Sequence, residues 1–255
     1  MSVNVYKMKC VTNLHVGSGD ENYNIIDNEV ERDPVTGYPT INSSGVKGAL
    51  REHFRYVDSV NHIEIFGQDN KDKSSRIKSG SYKFFSADFL SRPLRVSDNS
   101  GHTYINVTTV DAIESFLEKM ELLNVDFTAE WEEVDFDGKE FLVSGESKIS
   151  EIEGKTVGKT DANKALLENL IGRNYAIAKS LNEYELPVMA RNFLENGESK
   201  NLWYEEIVPH ESMFYTVIIT PDGVDCEFDS EFEKNTIQFG GNASIGYGVI
   251  KLEKI

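Results

Sequence analysis

Residues 239–248, which read FGGNASIGYG, place four glycines within ten positions close to the end of this 255-residue chain. A second glycine-containing stretch, residues 14–19 (LHVGSG), lies near the start. Glycine adopts positive φ without strain and lets the backbone approach a ligand closely, and successive N–H groups turned the same way form a concave anion site. The two stretches therefore predict a protein that binds phosphate groups at both places.

Strand patterns flank both glycine-rich stretches. Residues 5–11 alternate in a period of two and lead into the first stretch, whereas residues 247–255 continue from the second as a closing strand. Residues 203–220 predict further strands that are interrupted at Pro209. If the first and last strands belong to one sheet, both phosphate-binding stretches come together.

A basic helix is predicted between the two stretches. Ser43 or Ser44 can cap its start. Its apolar stripe consists of Val46, Leu50, Phe54 and Val57. Lys47, Arg51 and Arg55 follow at a spacing of four residues, so they line a second face. We expect this face either to be solvated or to contact phosphates.

The remaining patterns indicate an α+β fold. They are a strand at 82–90, a helix at 110–122 capped by Thr108 or Thr109, strand and turn at 141–157, a helix at 161–181 interrupted at Gly172, and a short helix at 230–237.

The charge distribution qualifies the phosphate prediction. The net charge is −17, whereas proteins that bind bulk polyanions are usually basic. Residues 34–110 nevertheless hold ten Lys or Arg against seven Asp or Glu, and residues 111–153 hold three Lys against fourteen acids. The acidic segment is expected to be a solvated face or a face toward basic partners, so any phosphate site must be local.

Several function classes are excluded or disfavoured. The chain shows neither a leader-like apolar segment nor a run of eighteen apolar residues, so we expect a soluble, cytoplasmic protein without membrane contact. Cys10 and Cys226 sit among apolar residues and are expected to be core thiols. The five histidines lack metal-ligand spacing, and residues 14–19 lack the Gly-Lys-Ser/Thr end of a nucleotide-hydrolysing loop.

Taken together, eight segments of the chain resemble the RAMP superfamily of CRISPR effector proteins, and more narrowly the backbone subunits of type III-B Cmr complexes. They are residues 14–19 (LHVGSG), 25–27 (IID), 32–39 (RDPVTGYP), 41–51 (INSSGVKGALR), 80–87 (GSYKFFSA), 190–197 (ARNFLENG), 201–206 (NLWYEE) and the closing glycine-rich loop, which is the superfamily's signature. The resemblance spans the chain.

This resemblance implies a single RAMP domain over residues 1–255 with a ferredoxin-like (RRM-type) palm. A thumb insertion within approximately 100–210, finger-like loops, and a closing palm strand with its glycine-rich loop at 235–255 complete that fold. The implied partners are a CRISPR guide RNA, single-stranded target RNA, other Cmr subunits and further copies of the chain in a helical stack. Such subunits hold the guide, wedge the guide–target duplex apart at regular intervals and cut the target.

The resemblance also implies site residues. Asp27 would be the catalytic residue and the ligand of a divalent cation, Mg²⁺ or Mn²⁺. The implied RNA contacts are Lys47, Arg51, Ser43, Ser44, Gly240, Gly241 and Asn242, with His15, Ser18, Arg32 and Arg191 as further candidates. Two departures from the family pattern are Gly45, where Ser is common, and Asn28-Glu29 after the aspartate.

Three alternatives remain open at this stage. The chain could be a non-catalytic RNA-binding scaffold, or the equivalent backbone subunit of a type III-A Csm complex. It could also be a metal-independent RAMP ribonuclease that processes guide RNA, for which His15 would act as the general acid or base.

Overall fold

A computed structural model describes residues 1–19, 25–57, 60–68, 79–97, 101–127, 129–224 and 226–255. The strands are β1 (Ser2–Cys10), β2 (Lys83–Phe84), β3 (Asp88–Arg95), β4 (Tyr104–Thr109), β5 (Phe141–Ser144), β6 (Glu151–Ile152), β7 (Lys155–Thr160), β8 (Tyr175–Ala178), β9 (Val188–Glu195), β10 (Glu198–Glu206), β11 (Met213–Thr220), β12 (Ile237–Gln238) and β13 (Val249–Lys254). The helices are α1 (Ser43–His53), α2 (His62–Phe66), α3 (Val110–Leu122), α4 (Lys164–Ile171) and α5 (Asp229–Lys234). The predicted α+β class is confirmed.

The chain divides into two compact units. The first consists of Met1–Asp88, Leu186–Val208 and Phe214–Ile255, and the second of Phe89–Glu185 and Pro209–Met213. Both glycine-rich stretches and all the site residues implied by the resemblance belong to the first unit. Among the helices that the structure describes, none combines the length and the apolar character needed to cross a membrane.

The sheet of the first unit brings the two ends of the chain together. Its strand order is β12-β13-β1-β11, and β2 pairs with β11. β1 and β13 are antiparallel, with Cys10 opposite Ile250 at the end that leads into the first glycine-rich stretch. The prediction that the first and last strands share one sheet is confirmed. Both cysteines are buried thiols that form no disulfide, as predicted.

Helix α1 carries most of the predicted apolar stripe but lacks the predicted cap. Val46, Leu50 and Phe54 are fully buried, as predicted. Val57, the fourth predicted member of the stripe, lies beyond the helix in extended backbone and is only half-buried. The predicted cap by Ser43 or Ser44 is wrong, because the helix begins at Ser43 and Asn42 occupies the N-cap position without a side-chain cap bond. The Asn42 side chain instead donates to the carboxylate of Glu31.

An aromatic cluster fixes the end of α1 against the rest of the first unit. The Phe228 ring stacks on Phe54 with 4.3 Å between centroids, and Phe66 and Phe232 lie 5.8 and 5.6 Å from it. Tyr82 meets the same ring edge-on at 5.6 Å. Because this cluster anchors the helix, the side chains on its opposite face keep a defined position.

The second unit contains a mixed sheet of order β3-β4-β8-β5-β7-β6. Helix α3 spans the predicted residues, and the Thr109 hydroxyl caps it by accepting from the Ala112 N–H at 3.2 Å. The helix predicted at 161–181 ends at Gly172, where φ is +90°. The segment after it is β8, which pairs with β4 along one edge and with β5 along the other. All four of its residues are buried. A short, wholly buried apolar run does not reveal its period in the sequence, which explains the error.

Candidate nucleic-acid interface

The two glycine-rich stretches contact each other directly. The Gly241 N–H donates to the His15 carbonyl oxygen at 2.9 Å, and the Gly248 N–H donates to that of Asn13 at 2.7 Å. At Gly240, where φ is +69°, an added Cβ would lie 2.3 Å from the His15 oxygen. Glycine is therefore required at position 240 because two segments of the protein backbone pass close to each other there. The sequence alone did not distinguish this contact from a close approach of the backbone to a ligand.

Asp27 lies in a loop that is tied to the end of β10. The Asp27 N–H donates to the Tyr204 carbonyl oxygen at 3.0 Å, and the Glu206 N–H donates to that of Asn28 at 2.9 Å. The Tyr204 N–H in turn donates to Oδ2 of Asp27 at 2.8 Å. Asp27 is solvent-exposed, and its Oδ1 accepts no hydrogen bond from the residues that the structure describes. The loop thus presents one uncommitted carboxylate oxygen to solvent in a fixed position.

Glu205 is a buried carboxylate with two partners, one on the paired strand β9 and one in the closing glycine-rich loop. Only 4% of the residue is exposed. It accepts from Nη1 of Arg191 at 2.8 Å and from Nδ2 of Asn242 at 2.9 Å to each of its oxygens. Asn242 adopts the left-handed conformation with φ of +63°, which Asn tolerates better than most residues. Burial of this charge is compatible with folding because it is paired and hydrogen-bonded.

Glu206, the next residue, is also buried and holds the other side of the loop. Its carboxylate accepts from the Arg32 guanidinium and from the Val30 N–H at 3.1 Å. Its carbonyl oxygen lies 2.8 Å from Nδ1 of His15. A carbonyl oxygen can only accept, so Nδ1 carries the proton. Nε2 of His15 then faces the Glu205 carboxylate at 3.7 Å.

Four of the implied RNA contacts therefore converge on this pair of glutamates. They are His15, Arg32, Arg191 and Asn242. His15 is only 8% exposed. This burial suits a side chain that positions its neighbours better than one that exchanges protons with a bound RNA. Their role in RNA binding stays a prediction.

The other implied contacts lie on or beside α1. Ser43 and Ser44 are exposed in its first turn, and α1 packs against β12, the strand that leads into the glycine-rich loop. Nη2 of Arg51 donates to the Gly67 carbonyl oxygen at 3.3 Å. Lys47 is half-buried and forms no hydrogen bond or ion pair with the described residues. Among the basic side chains of this helix, Lys47 is therefore the most available to bind a phosphate.

Two further groups complete the surroundings. The Ser18 N–H donates to the Glu29 carbonyl oxygen at 3.2 Å, which closes the first glycine-rich turn.

At the C-terminal end of α1, Nε2 of His53 lies 2.9 Å from Oε1 of Glu231. This hydrogen bond holds the pKa of Glu231 below its ordinary value.

Sequence reasoning missed Glu205 and Glu206 as structural centres. Two adjacent acids normally read as surface residues, because Glu is rarely buried unless it is paired. The signal available was their position directly after the apolar run Leu202-Trp203-Tyr204, at the end of a strand. Their partners come from four other segments of the chain, and a single sequence does not show that these segments meet at the two glutamates.

The described residues offer no preformed metal site. Among them, no group of three or more His, Cys, Asp or Glu side chains is placed to hold one ion together. Asp27 already commits Oδ2 to the Tyr204 amide, and Asp20 and Glu21, which precede it in the sequence, lie outside the described residues. The oxygen donors that the structure describes around Asp27 do not fit a resident divalent cation, which normally takes several oxygen ligands.

Comparison with known proteins establishes the family. The model of the RAMP superfamily matches residues 7–251. The chain belongs to the RAMP superfamily. This RAMP protein is 27% identical, over 95% of its length and 92% of the relative's, to the CRISPR system Cmr endoribonuclease Cmr4 of Pyrococcus furiosus. It is 24% identical to the CRISPR system CMR subunit Cmr4 of Saccharolobus solfataricus, over 98% and 96% of the two chains.

A solved structure shares the fold of this chain. The fold of the RAMP protein matches a crystal structure of oligomeric Cmr4 from Pyrococcus furiosus with a TM-score of 0.72 and 22% identity, over 100% and 98% of the two chains. This likeness covers both of the compact units described above.

Proposed function

We propose that this RAMP protein is the guide-RNA-binding backbone subunit of a type III-B CRISPR effector complex and that it cuts guide-paired target RNA at regular intervals. Its similarity to a Cmr endoribonuclease supports the subunit type. The observation that carries the cleavage proposal is Asp27, an exposed carboxylate held by the Tyr204 amide with Oδ1 left uncommitted. Partners in this proposal are the guide, the target, other Cmr subunits and further copies of the chain.

The finer architecture belongs to the same proposal. We infer that the sheet of the first unit serves as the ferredoxin-like palm and that the thumb insertion lies within approximately 100–210. The ribbon formed by β9 and β10 falls inside those bounds and pairs only with itself among the described strands. It exposes Phe193, Leu194 and Leu202 by 57%, 58% and 54%. Exposed apolar side chains on a two-stranded ribbon suit a wedge that parts stacked bases.

The guide would be held by its phosphates, so that base pairing alone reads the sequence. The exposed first turn of α1 offers backbone N–H groups at Ser43 and Ser44, and the positive end of the helix dipole favours an anion there. Lys47 supplies a cation on the same helix. The neighbouring loop at Gly240, Gly241 and Asn242 adds a backbone surface without bulky side chains.

The proposed chemistry is attack of a ribose 2′-oxygen on the adjacent phosphorus. The 2′-hydroxyl gives its proton to Oδ1 of Asp27, the new bond forms from the 2′-oxygen to phosphorus, and the bond to the 5′-oxygen breaks. The departing 5′-oxygen takes a proton from water, which leaves a 2′,3′-cyclic phosphate and a 5′-hydroxyl. In-line geometry is unavailable in a regular A-form duplex, so cutting requires a splayed nucleotide. Any dependence on Mg²⁺ or Mn²⁺ would involve an ion shared with RNA.

The test compares target cleavage by complexes that contain the wild-type chain, Asp27→Asn or Asp27→Ala, with and without Mg²⁺ or Mn²⁺. Asp27→Asn keeps an acceptor for the Tyr204 N–H but cannot take the proton. We expect loss of the evenly spaced cuts with target affinity unchanged. Asp33→Asn is the matched control, because this half-buried acid, six residues further along the chain, accepts from N–H groups of its own turn.

Unchanged cutting by Asp27→Asn would place the chemistry in another chain and leave this protein as a scaffold. Cutting in the presence of a chelator would remove the divalent cation from the proposal while retaining Asp27. Failure of the wild-type chain to assemble with guide RNA would overturn the proposed function as a whole.

A further inference from the structure

One guanidinium and two aromatic rings meet at the foot of the β9–β10 ribbon. Cζ of Arg191 lies 5.4 Å from the centroid of the Trp203 ring and 6.0 Å from that of Tyr247. Arg191 and Trp203 are directly opposite each other in the ribbon, so their side chains share one face. Tyr247 comes from the closing glycine-rich loop. None of the three is fully buried.

Arg191 is held in place by Glu205. Nη1 of Arg191 donates to Oε2 of Glu205 at 2.8 Å, and 22% of the Arg191 side chain remains exposed. An in-plane hydrogen bond occupies the edge of a guanidinium and leaves its flat faces free to stack. The cluster is therefore a set of planar groups in a fixed arrangement at the protein surface.

The cluster adjoins the proposed reaction site. Trp203 directly precedes Tyr204, whose N–H donates to Oδ2 of Asp27. The amide that fixes Asp27 thus belongs to the peptide bond between Trp203 and Tyr204. A planar ligand stacked on the Trp203 ring would therefore contact the residue next to the one whose amide positions the Asp27 carboxylate.

We propose that Trp203, Arg191 and Tyr247 form a stacking site for one unpaired RNA nucleobase beside Asp27, an inference that rests on the function proposed above. Aromatic rings and Arg guanidinium planes are the groups on which proteins stack splayed-out bases. Every base has a π-face, so stacking tolerates any sequence. A subunit that repeats along guides of arbitrary sequence needs this kind of contact in place of hydrogen bonds to base edges.

Photo-crosslinking of the assembled complex tests the contact directly. One series of RNAs carries 5-iodouridine at successive positions of the target, with a 2′-deoxy nucleotide at each cut site to prevent cleavage. A second series carries it at successive positions of the guide. After irradiation, mass spectrometry identifies the modified residues. We expect crosslinks to Trp203 or Tyr247 only from nucleotides next to a cut site, and the series that yields them identifies the strand.

Crosslinks elsewhere in the protein with none at Trp203 or Tyr247 would overturn the stacking site and leave the proposed function intact. Crosslinks at these residues from every position alike would also overturn it, because a specific site takes one nucleotide per subunit. Absence of bound RNA would instead count against the proposed function itself.

Substitutions provide the second arm. Trp203→Phe keeps an aromatic face, and Trp203→Leu keeps apolar bulk without one. Trp203→Leu should slow cleavage about tenfold, consistent with the loss of one base-stacking contact, whereas Trp203→Phe should restore most of it. Trp131→Leu, in the second unit, is the control and should leave cleavage unchanged. Equal rates for Trp203→Leu and Trp203→Phe would contradict a π-stacking role.

Discussion

Asp27 and Tyr204 bind each other reciprocally, although they lie 177 residues apart in the chain. The N–H of each residue donates to an oxygen of the other, at 3.0 Å to the Tyr204 carbonyl and at 2.8 Å to Oδ2 of Asp27. The position of the candidate catalytic carboxylate is therefore set by the end of β10. Substitutions near that end should act on the site without touching it.

Glu205→Ala should destabilise the first unit by about 1–3 kcal/mol, because a buried acceptor is removed from Arg191 and Asn242. The partial exposure of Arg191 favours the lower part of this range. Glu205→Gln retains one acceptor and should lose less. Urea unfolding measures both variants. Glu195→Ala, an exposed acid on the same ribbon, should change stability by less than about 0.5 kcal/mol.

Gly240→Ala should destabilise the protein by more than about 2 kcal/mol, since the new Cβ would meet the His15 carbonyl oxygen at 2.3 Å and φ is +69°. Gly241→Ala is the neighbouring control. Its Cβ would lie 3.9 Å from the same oxygen, and its φ is not in the left-handed region. The melting temperatures of the two variants provide the test. An equal decrease for both would show that the close backbone contact at Gly240 does not exclude a larger side chain.

Lys47→Ala should weaken guide binding at low salt and reduce the slope of log affinity against log salt concentration by about one, as expected for one lost phosphate contact. Stability should stay near that of the wild type, because Lys47 has no hydrogen-bond or ion-pair partner among the described residues. Lys148→Ala, exposed in the second unit, serves as the control. An unchanged salt slope for Lys47→Ala would rule out the contact.

Protonation of Glu231 should reduce stability in acid. The hydrogen bond from His53 lowers the pKa of Glu231 in the folded protein from its ordinary value of 4.5. A depressed carboxyl pKa contributes stability that is present above the ordinary value and is lost as the pH falls through the folded value. His53→Ala should therefore lower the melting temperature near neutral pH, and its difference from the wild type should shrink as the pH falls below the ordinary carboxyl pKa of 4.5. A constant difference across this range would contradict the assignment.

Local signals made part of the fold predictable. Helix α3 begins and ends where its apolar period and the Thr109 cap place it, because both signals act within a few residues. β8 could not be predicted in this way. It pairs at both edges with strands that are remote in sequence, and its four residues are all buried whichever face they point to, so neither a helical nor a strand period appears.

The sequence predicts the loops of the candidate site but not the hydrogen bonds and ion pairs that join them. Asp27 and the glycine-rich stretches are visible as motifs, and the pairing of β1 with β13 explains why those stretches meet. The roles of Glu205 and Glu206 depend on Arg191, Asn242 and Arg32, which arrive from separate segments. Burial of a charge is decided by such partners, and a single sequence does not show them.

The two-stranded ribbon also determines where the protein should exchange its amide hydrogens with solvent. An isolated two-stranded ribbon is marginally stable, so the amides near Asn196 should exchange with deuterium rapidly. At the other end, the Tyr204 and Glu206 amides donate to Asp27 and Asn28, and they should exchange slowly for as long as the Asp27 loop holds its position. Deuterium uptake at Tyr204 is therefore a direct measure of whether the carboxylate is held in place.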